Sequence, residues 1–138
     1  MNTNRRKSRE LALQALYACE CGNDDAYQKV FAVIVEETFS SPIIADYAKQ
    51  LVAKTLESKI EIDRLLSRHA ANWDLKRMTV IDRNILRMAA AELLYFKDIP
   101  FKVVIDEAVE IATQYGTEDS GKFVNGVIDS IHKDMPSP

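Results

Sequence analysis

Between Pro42 and Pro100 the chain contains no glycine and no proline, and its 138 residues hold only four of each. These two residues punctuate local structure most strongly, so long stretches without them call for long regular elements. Within those stretches the apolar residues recur at three- and four-residue spacing, the period of a helix, and no convincing strand alternation is present. The expected fold is therefore all-α, a single globular domain of about six to seven helices over residues 1–138. Apolar residues make up 47% of the chain and charged residues 28%, enough for one sizeable core. No apolar run approaches the ~20 residues that span a bilayer. The opening MNTNRRKSRE has basic residues with no apolar stretch behind them, so no secretory signal is read there. A cytoplasmic location without a membrane partner is the expectation.

The spacing predicts a first helix over about 4–20, with Leu13, Leu16, Tyr17 and Glu20 at helical intervals and Ala12 and Ala15 between them. Gly22 and the polar residues after it end this helix. A second covers about 25–38. Ser41-Pro42 reads as an N-cap followed by proline at the first helical position. It opens a long helix to about residue 70, with a break near residue 58 and a stripe of Ile44, Tyr47, Leu51, Ile62, Leu65 and Leu66. The segment NWDLKRM links to a helix over about 80–96. There Thr79 and Asp82 resemble a capping box, and Ala89-Ala90-Ala91 permits close helix packing. A helix over about 101–115 stops at Gly116, read as a helix-terminating glycine. Asp119 or Ser120 caps a last helix with a stripe of Phe123, Val124, Val127, Ile128 and Ile131. The tail DMPSP frays.

Residues 116–123, GTEDSGKF, satisfy the phosphate-loop pattern G-x-x-x-x-G-K-[ST] except at Phe123. A phosphate loop joins a parallel strand to a helix, but DEAVEIATQY before it is helical in pattern, and Phe123 removes the magnesium-binding hydroxyl. The segment reads instead as a helix junction whose second helix still offers unpaired N–H groups.

Other catalytic patterns are thin. Asp106 and Glu110 share a helix face at i, i+4, as an acid/base pair or as a solvated surface. His69 and His132 have no visible triad partners, and His69 reads as a helix-end or packed imidazole. Met78 and Met88 are core fillers. Trp73 is an interface anchor or a buried turn residue. Cys19 and Cys21 point to different sides of a helix and read as packing thiols without a metal. No cofactor is expected.

The net charge is −3, unevenly placed: residues 1–10 carry +3 through Arg5, Arg6, Lys7 and Arg9, and the remainder carries −6. A basic start on an acidic body points to a polyanion partner or to a solubilising tail.

Three stretches together resemble the NusB family of bacterial transcription antitermination factors. They are RRKSRELALQALY (5–17), NWDLKRMTVIDRNILRMAAAEL (72–93) and IPFKVVIDEAVEIATQYGTEDSGKFVNGVID (99–129), in the family's order and spacing. The resemblance implies two packed helical bundles, an N-terminal half over about 4–72 and a C-terminal half over about 73–134. It implies a non-enzymatic protein that binds the single-stranded boxA element of ribosomal RNA leader transcripts together with ribosomal protein NusE. The pair would act within an antitermination complex on RNA polymerase that supports ribosomal RNA synthesis.

By the same resemblance, Arg5, Arg6, Lys7 and Arg9 match the arginine-rich RNA-binding motif, with Lys7 where arginine is common. Asp119, Lys122 and Phe123 match an RNA-proximal motif. Phe123 is either a base-stacking platform or a core residue, and Asn125 and Gly126 serve packing. Tyr17 and Asp82 match the surface that meets the ribosomal protein, with Asp82 in place of a glutamate. RNA methyltransferases with a NusB-like N-terminal domain need a large appended catalytic domain, so that enzyme reading is not the expectation. The alternative expectation is a helical protein-interaction module, a homodimer as some relatives are, with a non-functional basic tail.

Overall fold

The computed structural model describes residues 3–22, 42–70 and 78–135. Six α-helices and no strands occur among them: α1 (Thr3–Cys21), α2 (Pro42–Glu57), α3 (Lys59–His69), α4 (Val80–Tyr95), α5 (Phe101–Tyr115) and α6 (Ser120–Asp134). The helix expected over 25–38, the Ser41 cap, the NWDLKRM link with Trp73, and the tail from Pro136 lie outside the described residues.

Helix α4 is the axis of the molecule and touches each of the other five helices. Its residues 84–93 are buried without interruption, as expected for a helix enclosed on all sides rather than on one stripe. Ala89, Ala90 and Ala91 fall within this run. Their small side chains let neighbouring helices approach, and larger residues there would overpack the core by about 1–3 kcal/mol. Helix α1 packs chiefly on α2 and α4, and α5 packs chiefly on α6 and α4, so two helical bundles meet along α4. One continuous core joins them, including Leu11, Leu16, Leu51, Ile62, Leu66, Ile85, Leu86, Ile111 and Ile128. Met78 and Met88 belong to it as expected.

The helix ends have local causes. Thr79 has extended backbone and its Oγ1 accepts from the Asp82 amide at 3.1 Å. The capping box is only half formed, because Asp82 Oδ1 is buried without a partner among the described residues. Ser58 is the expected break: its backbone leaves helical dihedrals (φ −104°, ψ 16°). Helical hydrogen bonds run across it, from Ser58 N to Lys54 O and from Ile62 N to Ser58 O. Asp119 precedes α6 but its side chain makes no capping hydrogen bond.

Polar contacts also fix the bundle. Ser8 Oγ donates to Ile44 O at 2.8 Å, tying α1 to α2. Arg87, almost fully buried, forks onto Asp63 and reaches Glu20 at 2.9 Å, joining α4 to α3 and α1. Glu20 also receives Arg83. Burial pushes the Glu20 carboxyl up, but the hydrogen bonds and charges of these two arginines outweigh it and hold the carboxyl below its ordinary value. His69 hydrogen-bonds Ser130 of α6 at 2.8 Å, and His132 stacks on Phe101 with ring centroids 3.6 Å apart. His69 thus ties α3 to α6, and the exposed His132 lies on the Phe101 ring at the surface.

Candidate nucleic-acid interface

The basic residues at the start of the chain are not a tail. They sit on the first turns of α1, which runs alongside α5, and the two helices bring opposite charges together. Arg6 forks onto Glu107 at 2.7 and 2.6 Å and also reaches Glu110. Those hydrogen bonds, aided by the charges of Arg6 and Arg9, hold the Glu107 carboxyl below its ordinary value against the effect of burial. The same carboxylates raise the Arg6 pKa further, so the guanidinium is permanently charged.

Arg9 lies deeper, 3% exposed. Its Nε donates to both carboxylate oxygens of Glu92 at 3.1 and 3.0 Å, and its Nη1 reaches Glu107 at 3.3 Å. Glu92 also accepts from the Tyr47 hydroxyl. Burial and the Glu92 charge push the Tyr47 phenol up, keeping it a donor. The Arg5 guanidinium lies 3.7 Å over the Tyr47 ring, a cation–π geometry. Lys7 is exposed. The four cations expected to act alike therefore differ: Lys7 faces solvent, Arg5 is half-buried on an aromatic ring, Arg6 is clamped by carboxylates, and Arg9 is interior.

Between α1 and the start of α5 lies an open cleft of about 450 Å³, lined by Arg5, Arg9, Ile99, Pro100, Val103 and four carboxylates, Asp98, Asp106, Glu107 and Glu110. Asp106 and Glu110, the pair at i, i+4, are both exposed. They are paired with Lys102 and Arg6 respectively.

A second concave surface lies toward the other end of α1. Glu10, Leu13, Gln14, Tyr17, Ile81 and Tyr115 line an open apolar cleft of about 330 Å³. Tyr17 is 45% exposed, and the Tyr115 hydroxyl donates to Glu10 at 3.1 Å. Ile81 in this wall adjoins Asp82, whose buried Oδ1 lacks a donor among the described residues. An apolar cleft with an exposed tyrosine in its wall suits a protein partner.

The GTEDSGKF segment is a helix junction. Gly116 ends α5 with extended backbone (φ −92°, ψ −158°), not in the left-handed conformation of a terminating glycine. It is glycine for space, because a Cβ would stand 2.7 Å from Ala112 O and collide with Ser120. Ser120 is buried there and its Oγ accepts from the Thr117 amide at 2.8 Å. A Cβ on Gly121 would stand 2.6 Å from Thr113 Oγ1 on α5. Two of the glycines in the phosphate-loop pattern thus let α6 fold back closely on α5. Asp119 and Lys122 are exposed, and Phe123 is partly buried against the core. Asn125 and Gly126, expected to pack, are exposed instead, and a Cβ on Gly126 would meet nothing within 4 Å.

Of the two cysteines, Cys19 packs inside and Cys21 is exposed. Among the described residues no group of three or more His, Cys, Asp or Glu could hold a metal ion, and no helix is long and apolar enough to cross a membrane.

The sequence of α1 announced its charge but not its carboxylate partners, which lie 83 to 104 residues away. Nothing local signals Glu92, Glu107 or Tyr115 as parts of these two surfaces. The only hint was the i, i+4 spacing of Asp106 and Glu110.

The model of the NusB family matches residues 6–133. The transcription antitermination protein NusB of Salinibacter ruber is 44% identical over 133 residues, covering 96% of this chain and 83% of that protein. The solved structure of T. maritima NusB superposes with a TM-score of 0.88 at 43% identity, covering 97% of this chain and 94% of that one. A crystal structure of the antitermination factors NusB and NusE in complex with double-stranded RNA matches with a TM-score of 0.88 at 30% identity, covering 98% of this chain and all of that one.

Proposed function

Because the chain belongs to the NusB family, we propose that it is an RNA-binding transcription antitermination factor that works with NusE. In this reading the pair binds the boxA element of ribosomal RNA leader transcripts. It then supports processive transcription of ribosomal RNA as part of a complex on RNA polymerase. The observation that carries the reading is the 0.88 TM-score to a NusB chain crystallised with NusE and RNA, over nearly the whole of both chains. The protein acts in the cytoplasm by binding rather than by catalysis.

Two surfaces divide the work. Arg5 and Lys7 on α1 attract RNA phosphates, with Lys122 and Asp119 at the start of α6 extending the site. Phe123 holds that helix start against the core. Phosphate contacts of this kind position a strand and make binding salt-dependent. Support for a second surface, where NusE docks with Asp82 at its edge, comes from the exposed Tyr17 and the apolar cleft beside it. The body is acidic and its exposed basic contacts are few, so RNA affinity of the chain alone is modest. A partner with its own RNA surface raises it through effective concentration.

The test is fluorescence anisotropy with a boxA-like single-stranded RNA, with and without NusE, at two salt concentrations. Tighter, salt-sensitive binding with NusE is the expected result. Tyr17→Ala should weaken NusE capture without altering RNA binding by the chain alone. Failure of wild type to bind RNA in either condition, with a folded and RNA-competent NusE, would refute the function.

A further inference from the structure

The two carboxylates that hold Arg6 are unequal. Glu107 accepts from Arg6 Nε and Nη2 at 2.7 and 2.6 Å and also receives Arg9 Nη1. Its side chain is 14% exposed, enclosed between two guanidinium groups. Glu110 stands three residues further along α5, on the same face of the helix. Among the described residues it accepts from Arg6 Nη2 only, and its side chain is 58% exposed. A solvated carboxylate held through one nitrogen is held weakly, because water and salt screen the pair. Glu107, backed by Arg9, belongs to the frame, and Glu110 is the member that is free to leave.

The place Glu110 occupies suits a phosphate. A carboxylate oxygen on a guanidinium nitrogen stands where a phosphate oxygen stands in the equivalent charge-assisted hydrogen bond. Arg5 lines the same cleft as Glu110, and Lys7, next to Arg6 in the chain, is exposed. The first turns of α1 therefore draw phosphates toward this point. Exchanging the Glu110 carboxylate for a phosphate replaces one anion by another and leaves Arg6 paired.

We propose that Arg6 is a latent phosphate site which Glu110 occupies in the free protein. On RNA binding the Glu110 carboxylate swings out to solvent, a phosphate oxygen takes its place on Nη2, and Glu107 keeps the guanidinium aimed. The inference rests on the RNA-binding reading above, adds Arg6 to the phosphate contacts of Arg5 and Lys7, and makes Glu110 a residue that limits affinity. Its tether gives this competitor a high effective concentration. The expelled carboxylate takes up cations from solution, which offsets part of the counterion release from the RNA.

The experiment follows the anisotropy of a labelled boxA-like single-stranded RNA with the full chain over a range of salt concentrations. Glu110→Gln keeps the size of the side chain and removes its charge. It should tighten binding by about three- to fivefold and steepen the slope of log affinity against log salt by up to about 0.7. Asp106 lines the same cleft one turn earlier on α5 but is paired with Lys102 instead of Arg6. Asp106→Asn removes the same charge and should change affinity by less than about twofold. In an Arg6→Gln background, Glu110→Gln should bring no gain. If Arg6→Gln does not fold, as judged by circular dichroism, the comparison of Glu110→Gln with Asp106→Asn decides alone.

Equal tightening by Glu110→Gln and Asp106→Asn overturns the proposal, since loss of any acid would then be the cause. So does a Glu110→Gln protein that binds RNA no better than wild type, the result expected of a carboxylate that merely staples α1 to α5. In both cases wild type still binds RNA, and the RNA-binding reading stands without the latent site. A wild type that binds no RNA, with or without NusE, removes both.

Discussion

Replacing Arg9 by methionine tests whether this motif residue belongs to the surface or to the frame. Arg9 is 3% exposed and Glu92 2% exposed, and they are joined through Nε to both carboxylate oxygens. Methionine fills similar space but removes the charge, so Glu92 keeps only the Tyr47 hydroxyl as a donor. Breaking one side of a buried ion pair costs about 3–5 kcal/mol, because the remaining charge is left uncompensated. That is a large share of a domain stability of roughly 5–15 kcal/mol. It corresponds to a fall in melting temperature of about 6–20 °C for a chain of this size.

Removing both charges, with Arg9→Met and Glu92→Met together, should recover most of the loss. The double variant leaves Tyr47 without an acceptor at a cost of about 1–3 kcal/mol. Urea unfolding followed by circular dichroism measures both. An Arg9→Met protein within about 1 kcal/mol of wild type at an unchanged m-value would refute the interior placement of Arg9, as would a double variant no better than the single.

Two glycines of α6 should respond in opposite directions. Gly121→Ala forces a methyl against Thr113 Oγ1 and should destabilise by about 1–3 kcal/mol. Gly126→Ala meets open space and should stabilise by about 1 kcal/mol through helix propensity; thermal melts of the two variants check both signs. The carboxyls of Glu20 and Glu107 lie below their ordinary value of 4.5 in the folded protein. Their contribution is complete above that value and is withdrawn as pH falls below it through the depressed folded values. The urea midpoint should therefore hold through mildly acidic pH and drop below about pH 4.5, with a shallower drop in Glu107→Gln.

The helical fold was legible because its signals are local. The spacing of Ile44, Tyr47 and Leu51, the Thr79 cap, the break at Ser58 and the run Ala89–Ala91 each depend on residues a turn or two apart. The same locality explains the misreadings. Gly116 follows a helix as a terminating glycine does, yet its reason is the Ser120 side chain and the Ala112 carbonyl pressed against it. Gly126 follows Asn125 on a helix with an apolar stripe, yet it faces outward. Asp82 stands where a capping-box acid belongs, but its shorter side chain leaves Oδ1 unpaired.

The sequence by itself determined the described helices, the small-residue run of α4, the charge at the start of α1 and, through three motifs in order, the family. Each follows from the identity and spacing of neighbouring residues. Only the tertiary structure decided what that charge faces. The placing of α1 across from α5 lets Arg6 reach Glu107, 101 residues away, and packing of α1 on α4 encloses Arg9 with Glu92, 83 residues away. An arginine's charge is written in its side chain, but its exposure and partners depend on which helix lies across from it.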